Sequence, residues 1–213
     1  MNRKTDVPEK EKDRELSTAE KRRLERFTEV CERLEGEGYK KTELTVGIVK
    51  ANIFAIALAI PVYVLGYLLF FLRTEKGIGF NIIVFVAVYI ILIVVHELIH
   101  GITWSIFCKN GFHDIEFGFM KEYLTPYCTC CTPLNKGSYI IGTLMPLIIL
   151  GIIPTIIALG VDSFLLLNIG LLMIVSAGGD ILIVWKLLTY RSRYRDILYY
   201  DHPTQAGGVI FER

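Results

Sequence analysis

The chain has no excess of charge. Its 23 Lys and Arg stand against 22 Asp and Glu, a formal net charge of +1, so nothing in its balance supports a nucleic-acid partner. It also has no early apolar segment of signal-peptide type. The first forty residues are polar, and the membrane segments themselves are expected to direct insertion. Three of its five cysteines form one C-x-C-C run, Cys128, Cys130 and Cys131; a thiolate site there falls short of the four ligands that a structural zinc needs. No internal repeat or low-complexity tract is visible.

What the chain does have is apolar length, with charge confined to the ends. Residues 1–44 hold twelve Lys/Arg and twelve Asp/Glu, more than half of each total. Hydrophobic residues make up 53% of the chain, and mean hydropathy is +0.46. Four stretches reach the roughly 20 residues that a hydrocarbon core of about 30 Å requires. They are Ala51–Leu72, Phe80–Phe107, Tyr139–Leu159 and Phe164–Leu188. Lys40, Lys41 and Lys50 precede the first, and Lys186, Arg191, Arg193 and Arg195 close the last. Basic flanks at both ends place both termini in the cytoplasm of a multi-pass cell-membrane protein, although the turn Arg73–Gly79 carries two basic residues of its own. The expected fold is an all-α polytopic membrane protein. It comprises a charged cytoplasmic leader (1–44), a membrane-embedded domain (45–188) and a cytoplasmic tail (189–213).

Residues 1–16 are low in apolar content, and disorder is expected there. Ser17 with Glu20 resembles a capping box, and Leu24, Phe27, Cys31 and Leu34 follow at helical spacing until Gly36 and Gly38 end the pattern. The result is a short amphipathic helix, lying on the membrane face, against the bundle or on the protein's own loops. Between spans two and three, Cys108–Ser138 shows partial alternation through Phe112, Ile115, Phe117, Phe119 and Tyr123. Short strands are expected, the second confined to an edge by Pro126 and Pro133. An edge strand can pair with an extended peptide, so a membrane-protein or peptide substrate paired along 123–134 is one expectation and a bundle-capping hairpin the other. Cys128, Cys130 and Cys131 read as reduced, small apolar residues or a juxtamembrane acylation site. Cys31, Cys108, His113 and His202 carry no motif.

The chemistry concentrates in span two. His96-Glu97-Leu98-Ile99-His100 puts two histidines four residues apart, on one face of a helix, where both imidazoles can hold one Zn²⁺. Glu97 lies beside them, able to take a proton from a zinc-bound water. Ionisable groups at bilayer depth cost several kcal/mol, so a cluster there argues for a role. Catalytic zinc needs a third protein ligand. Asp180 stands sixteen residues beyond Phe164, as His96 stands sixteen beyond Phe80, which sets both about 24 Å along parallel spans. Ala177, Gly178, Gly179 and Gly101 are small enough for close helix approach. Asp180 could instead face a wet cavity or pair with Lys186, and the ligand could come from the loop, from His113, Asp114, Glu116 or Glu122. Pro146 and Pro154, with Gly142 and Gly151, can bend span three, either locally or to admit substrate.

His96-Glu97-Leu98-Ile99-His100-Gly101, the intramembrane Gly179-Asp180 and the stretch from Thr125-Pro126-Tyr127-Cys128 to Pro133-Leu134 together carry a resemblance. From about Gly38 to Leu188 the chain resembles a small bacterial membrane family named for zincin peptidase activity, which in turn resembles the site-2 proteases. The resemblance implies a membrane-embedded zinc endopeptidase. His96, His100 and Asp180 would be its ligands and Glu97 its general base, cutting substrates in or near their membrane segments. Site-2 proteases place Gly after the liganding Asp and an Asn-Pro pair before it. Here Ile181 follows, and Ser176-Ala177-Gly178-Gly179 precede. Two other classes remain open: a metal transporter or sensor, for which Glu97 would be dispensable, and a catalytically silent scaffold that binds membrane segments.

Overall fold

The computed structural model describes residues 17–74, 79, 81–120 and 125–213. The expected disorder of residues 1–16, the span start at Phe80, and Glu122, Tyr123 and Leu124 lie outside the described residues.

Ser17 opens the chain as its sequence predicts. Its hydroxyl accepts from the Glu20 backbone N–H, and the Glu20 carboxylate accepts from that of Ser17, a closed capping box. Helix α1 (Thr18–Gly36) leads to strand β1 (Lys40–Thr45) and the apolar helix α2 (Ile48–Phe71). Asn81 then caps α3 (Ile82–Ser105), accepting from the N–H groups of Ile83 and Val84. A short hairpin follows, β2 (Ile115–Met120) with β3 (Thr125–Cys130), and then the two-residue strand β4 (Leu134–Asn135). Helices α4 (Lys136–Pro146) and α5 (Ile153–Val161) are joined by a π-helical turn, Leu147–Ile152. Pro154 has no N–H to offer the preceding turn, and the helix widens just before it. Helices α6 (Phe164–Ser176) and α7 (Gly178–Thr189) precede the strands β5 (Ile197–Asp201) and β6 (Gly207–Glu212).

Among the described residues, three helices are long and apolar enough to cross a membrane: Val49–Phe71, Ile82–Ser105 and Lys136–Val161. The pair Phe164–Ser176 and Gly178–Thr189, bent by 45°, adds a fourth if it counts as one span. Their outer faces are apolar and open, with Ile56, Ile60 and Val64 on α2 and Ile83, Ile90 and Ile91 on α3 exposed. At one end of the bundle Phe70, Leu167 and Leu171 pack with Ala158 and Phe164. A β-carbon at Gly151 would meet Ile174 at 2.7 Å, and one at Gly170 would meet the Thr155 backbone at 2.8 Å. In span three, Gly151 thus serves close approach to α6 at backbone contact.

The expectation of an all-α fold is corrected at the other end. The supposed tail supplies two strands, β5 and β6, of a four-stranded antiparallel sheet in the order β1-β6-β5-β4, with Lys40 opposite Glu212 and Tyr199 opposite Leu134. Period-two alternation divides its residues between two faces. Tyr199 and Ile210 face a core with Trp104, Tyr139 and Leu187, while Tyr200, Val209 and Phe211 face Phe27, Cys31 and Leu34 of α1. The amphipathic helix therefore spends its apolar stripe on the sheet. Its Leu24 alone of the predicted stripe stays open.

Candidate metal centre

His96 and His100 occupy successive turns of α3, and their Nε2 atoms stand 3.1 Å apart. Asp180 reaches them from the first turn of α7, with Oδ2 3.1 Å from His96 Nε2 and 3.5 Å from His100 Nε2. Its approach follows from local sequence. Gly178 and Gly179 are poor helix formers, α6 stops at Ala177, and the chain turns through 45° before α7 begins. Gly178 also lets α7 close on α2, because a β-carbon there would meet Ala55 at 2.8 Å. Gly101 serves a different contact from the one predicted. A β-carbon on it would meet Phe117 at 2.5 Å, so it seats the hairpin on α3.

The ring of His100 is held on three sides. Its Nδ1–H donates to the Gly142 carbonyl at 2.9 Å, which directs Nε2 toward Asp180. Trp104, one turn on, stacks against it at 5.1 Å and 16°, and donates through Nε1 to the Tyr139 carbonyl at 3.2 Å. Tyr139 continues the stack to Tyr199 on the sheet. His96 is buried, and its Nδ1 has no partner among the described residues.

Two imidazoles and a carboxylate facing one another form a buried group able to hold a metal ion, with all ligand atoms within 4.8 Å of each other. Tetrahedral zinc with bonds of about 2.0–2.1 Å spaces its ligands at roughly 3.3 Å, close to the separations found here. Lone pairs brought this near repel unless a cation or proton lies between them. The donor set and spacing fit zinc.

Glu97 and His100 line a cavity of about 200 Å³ with Asp180, and the backbone of Cys128 on β3 is turned toward the Glu97 carboxylate. The other predicted acceptors are elsewhere. Asp114 accepts from Arg26 and Asn110, Glu116 lies by Arg23 and Arg26, His113 is exposed, and Lys186 donates to the Thr45 carbonyl. Burial pushes the Cys131 thiol up to about 12 and that of Cys128 higher, so these thiols stay neutral. Cys130 shares a hydrogen bond with Cys108 at 3.4 Å. With Cys130 and Cys131 buried, acylation is confined to other positions.

Several residues of the site were not singled out in the sequence. Trp104 continues the spacing of 96 and 100, and that periodicity could have found it. Asp201 could not be found so: it comes from β5 and accepts from the Cys130 N–H at 2.7 Å and from the Tyr139 hydroxyl. Burial pushes its carboxyl up to about 6, against those hydrogen bonds.

Residues 89–194, spanning both histidines and Asp180, match the model of a family described as "Putative zincin peptidase". The chain carries a domain of this family. No curated protein and no solved structure matches it. The zincin-type domain ends before β5, so Asp201 and the leader helix approach the site from outside it.

Proposed function

We propose that this chain is a zinc-dependent endopeptidase of the cell membrane, acting on peptide bonds within or near membrane segments. The carrying observation is the convergence of His96 Nε2, His100 Nε2 and Asp180 Oδ2 between apolar helices, with Glu97 beside them on one cavity. Those three residues would hold the ion. The chemistry it supplies when bound is acidification of a water toward a pKa of about 7 and polarisation of a carbonyl.

The rest falls to the chain. Glu97 takes the proton of the attacking water and returns it to the departing amine. Gly142 and Trp104 fix the tautomer and plane of His100, so a ligand that must not rotate is held before substrate arrives. The edge of β3 receives an extended substrate segment along 125–130; the rest of the predicted docking stretch is engaged, with Cys131 bonded to Asp114 and Leu134 paired with Tyr199. Pro126 offers no donor there, and Asp201 already holds the Cys130 N–H. The third N–H on that side, of Cys128, is turned to Glu97, so a substrate strand seated there lies against the general base. The bundle lies in the bilayer with both termini cytoplasmic.

The test joins metal analysis to cleavage. Detergent-purified protein should hold near one zinc per chain, lost in His96→Ala/His100→Ala and kept in Glu97→Gln. Wild-type protein should cut members of a library of transmembrane-segment peptides that Glu97→Gln leaves intact. Equal cutting by both proteins, or no zinc after zinc is offered, would sink the reading. A transporter or sensor would keep its metal and show no dependence on Glu97.

A further inference from the structure

Arg23 is an arginine of the leader helix with an environment that its own fold leaves unfinished. Its side chain is only 5% exposed. Its guanidinium lies 4.7 Å from the centre of the Tyr127 ring, which fixes its plane. Yet Nε is buried with no hydrogen-bond partner among the described residues. The nearest counter-charge, Glu116, stands 3.9 Å from Nε and is shared with Arg26 at the same distance. A guanidinium N–H so placed is rarely left unused. Arg23 lines the same cavity as Glu97, His100 and Cys128.

We propose that Arg23 is a positioning residue for the peptide substrate, donating to a backbone carbonyl of the segment seated beside β3. The inference rests on the peptidase reading above and adds to it a contact made by the leader, outside the zincin-type domain. A neutral oxygen is the fitting acceptor. Glu116 already stands beside the guanidinium, and Glu20, Glu97 and Asp201 line the cavity, so a further carboxylate would enter a field of like charge. A carbonyl meets the open donor without that penalty. The stack on Tyr127 gives the contact direction, since Tyr127 sits next to Cys128 on the strand that faces Glu97.

The test uses metal-binding probes of different reach on the full, zinc-loaded chain. Acetohydroxamate reaches only the metal. Two peptidyl hydroxamates, with arms running in opposite directions and ending in N-methylamide or an uncharged blocking group, present backbone carbonyls and no carboxylate. Arg23→Ala and Arg23→Gln should weaken one peptidyl hydroxamate about 10-fold or more and leave acetohydroxamate within about 2-fold, with Arg23→Lys intermediate. Unchanged affinity for both peptidyl probes overturns the assignment. Parallel weakening of all three probes also overturns it, because Arg23 would then support the metal centre as a whole. If wild-type protein binds none of them, the peptidase reading falls and takes this assignment with it.

Discussion

Gly142 and Trp104 meet so closely that a β-carbon at 142 would lie 2.0 Å from the indole ring. The same glycine offers its carbonyl to His100, on which that indole stacks. One residue thus admits the tryptophan and fixes the histidine. Gly142→Ala must push Trp104 or α4 away, and overpacking of this kind costs about 1–3 kcal/mol. The loss should appear both as a lower melting temperature in detergent and as roughly 10–100-fold weaker zinc binding, the usual cost of losing a ligand's outer support. A variant that melts lower but binds zinc as tightly as wild type would separate the packing from the metal centre.

Asp180 is a carboxylate in contact with both imidazoles, and its replacement isolates charge from shape. Asp180→Asn keeps the side-chain volume and removes the anion that offsets a bound dication. Zinc affinity should fall by more than the ~10–100-fold of an outer-shell change. Competition with a fluorescent chelator would measure it. Unchanged affinity would require a ligand from the cavity wall, where Asp201 is the remaining carboxylate beside Glu97 and Glu20.

The grouping of His96, His100 and Asp180 was legible because its parts obey short rules. His96 and His100 share a helical face by spacing alone, and Asp180 matches them in depth along a parallel span. The span boundaries come within a few residues for the same reason: apolar length is a local property. The sheet was hidden because its pairing is not local. Lys40 lies opposite Glu212, and strands of five or six residues carry too few periods to announce a partner so distant. Arg23 and Asp201 were hidden with it. They sit in a leader and a tail that read as accessories, and only the sheet brings those segments onto the cavity.

Asp201 gives the site a pH dependence with a defined sign. Its carboxyl is pushed up to about 6 by burial, above the value near 3.9 of an unfolded chain. The folded state therefore holds its proton more tightly. Stability from this group is complete below about pH 4 and is lost as pH rises through about 6, by on the order of 3 kcal/mol. Asp201→Asn, which cannot ionise, should remove the step. Melting temperatures at pH 4.5 and 7 should fall further for wild type than for the variant. Parallel curves would mean that Asp201 ionises as freely in the fold as out of it.

The sheet also constrains how the chain threads the membrane. β1 lies immediately before α2, and β5 and β6 follow α7, yet β1 and β6 are hydrogen-bonded neighbours. With these helices crossing a membrane as proposed, the first must begin and the last end on one side, and an even number of crossings is expected. On that parity the bent pair α6 and α7 is expected to act as a single, fourth span. At the opposite end the tips of α2, α5 and α6 meet around Phe70, Leu159 and Phe164. Single cysteines in a variant lacking the native five should report this directly. Positions Lys40 and Arg213 should be modified from the same side of sealed inside-out vesicles by an impermeant maleimide, and Asp162, in the turn between α5 and α6, only after the membrane is opened. Labelling of Asp162→Cys together with Arg213→Cys in sealed vesicles would overturn the four-span arrangement.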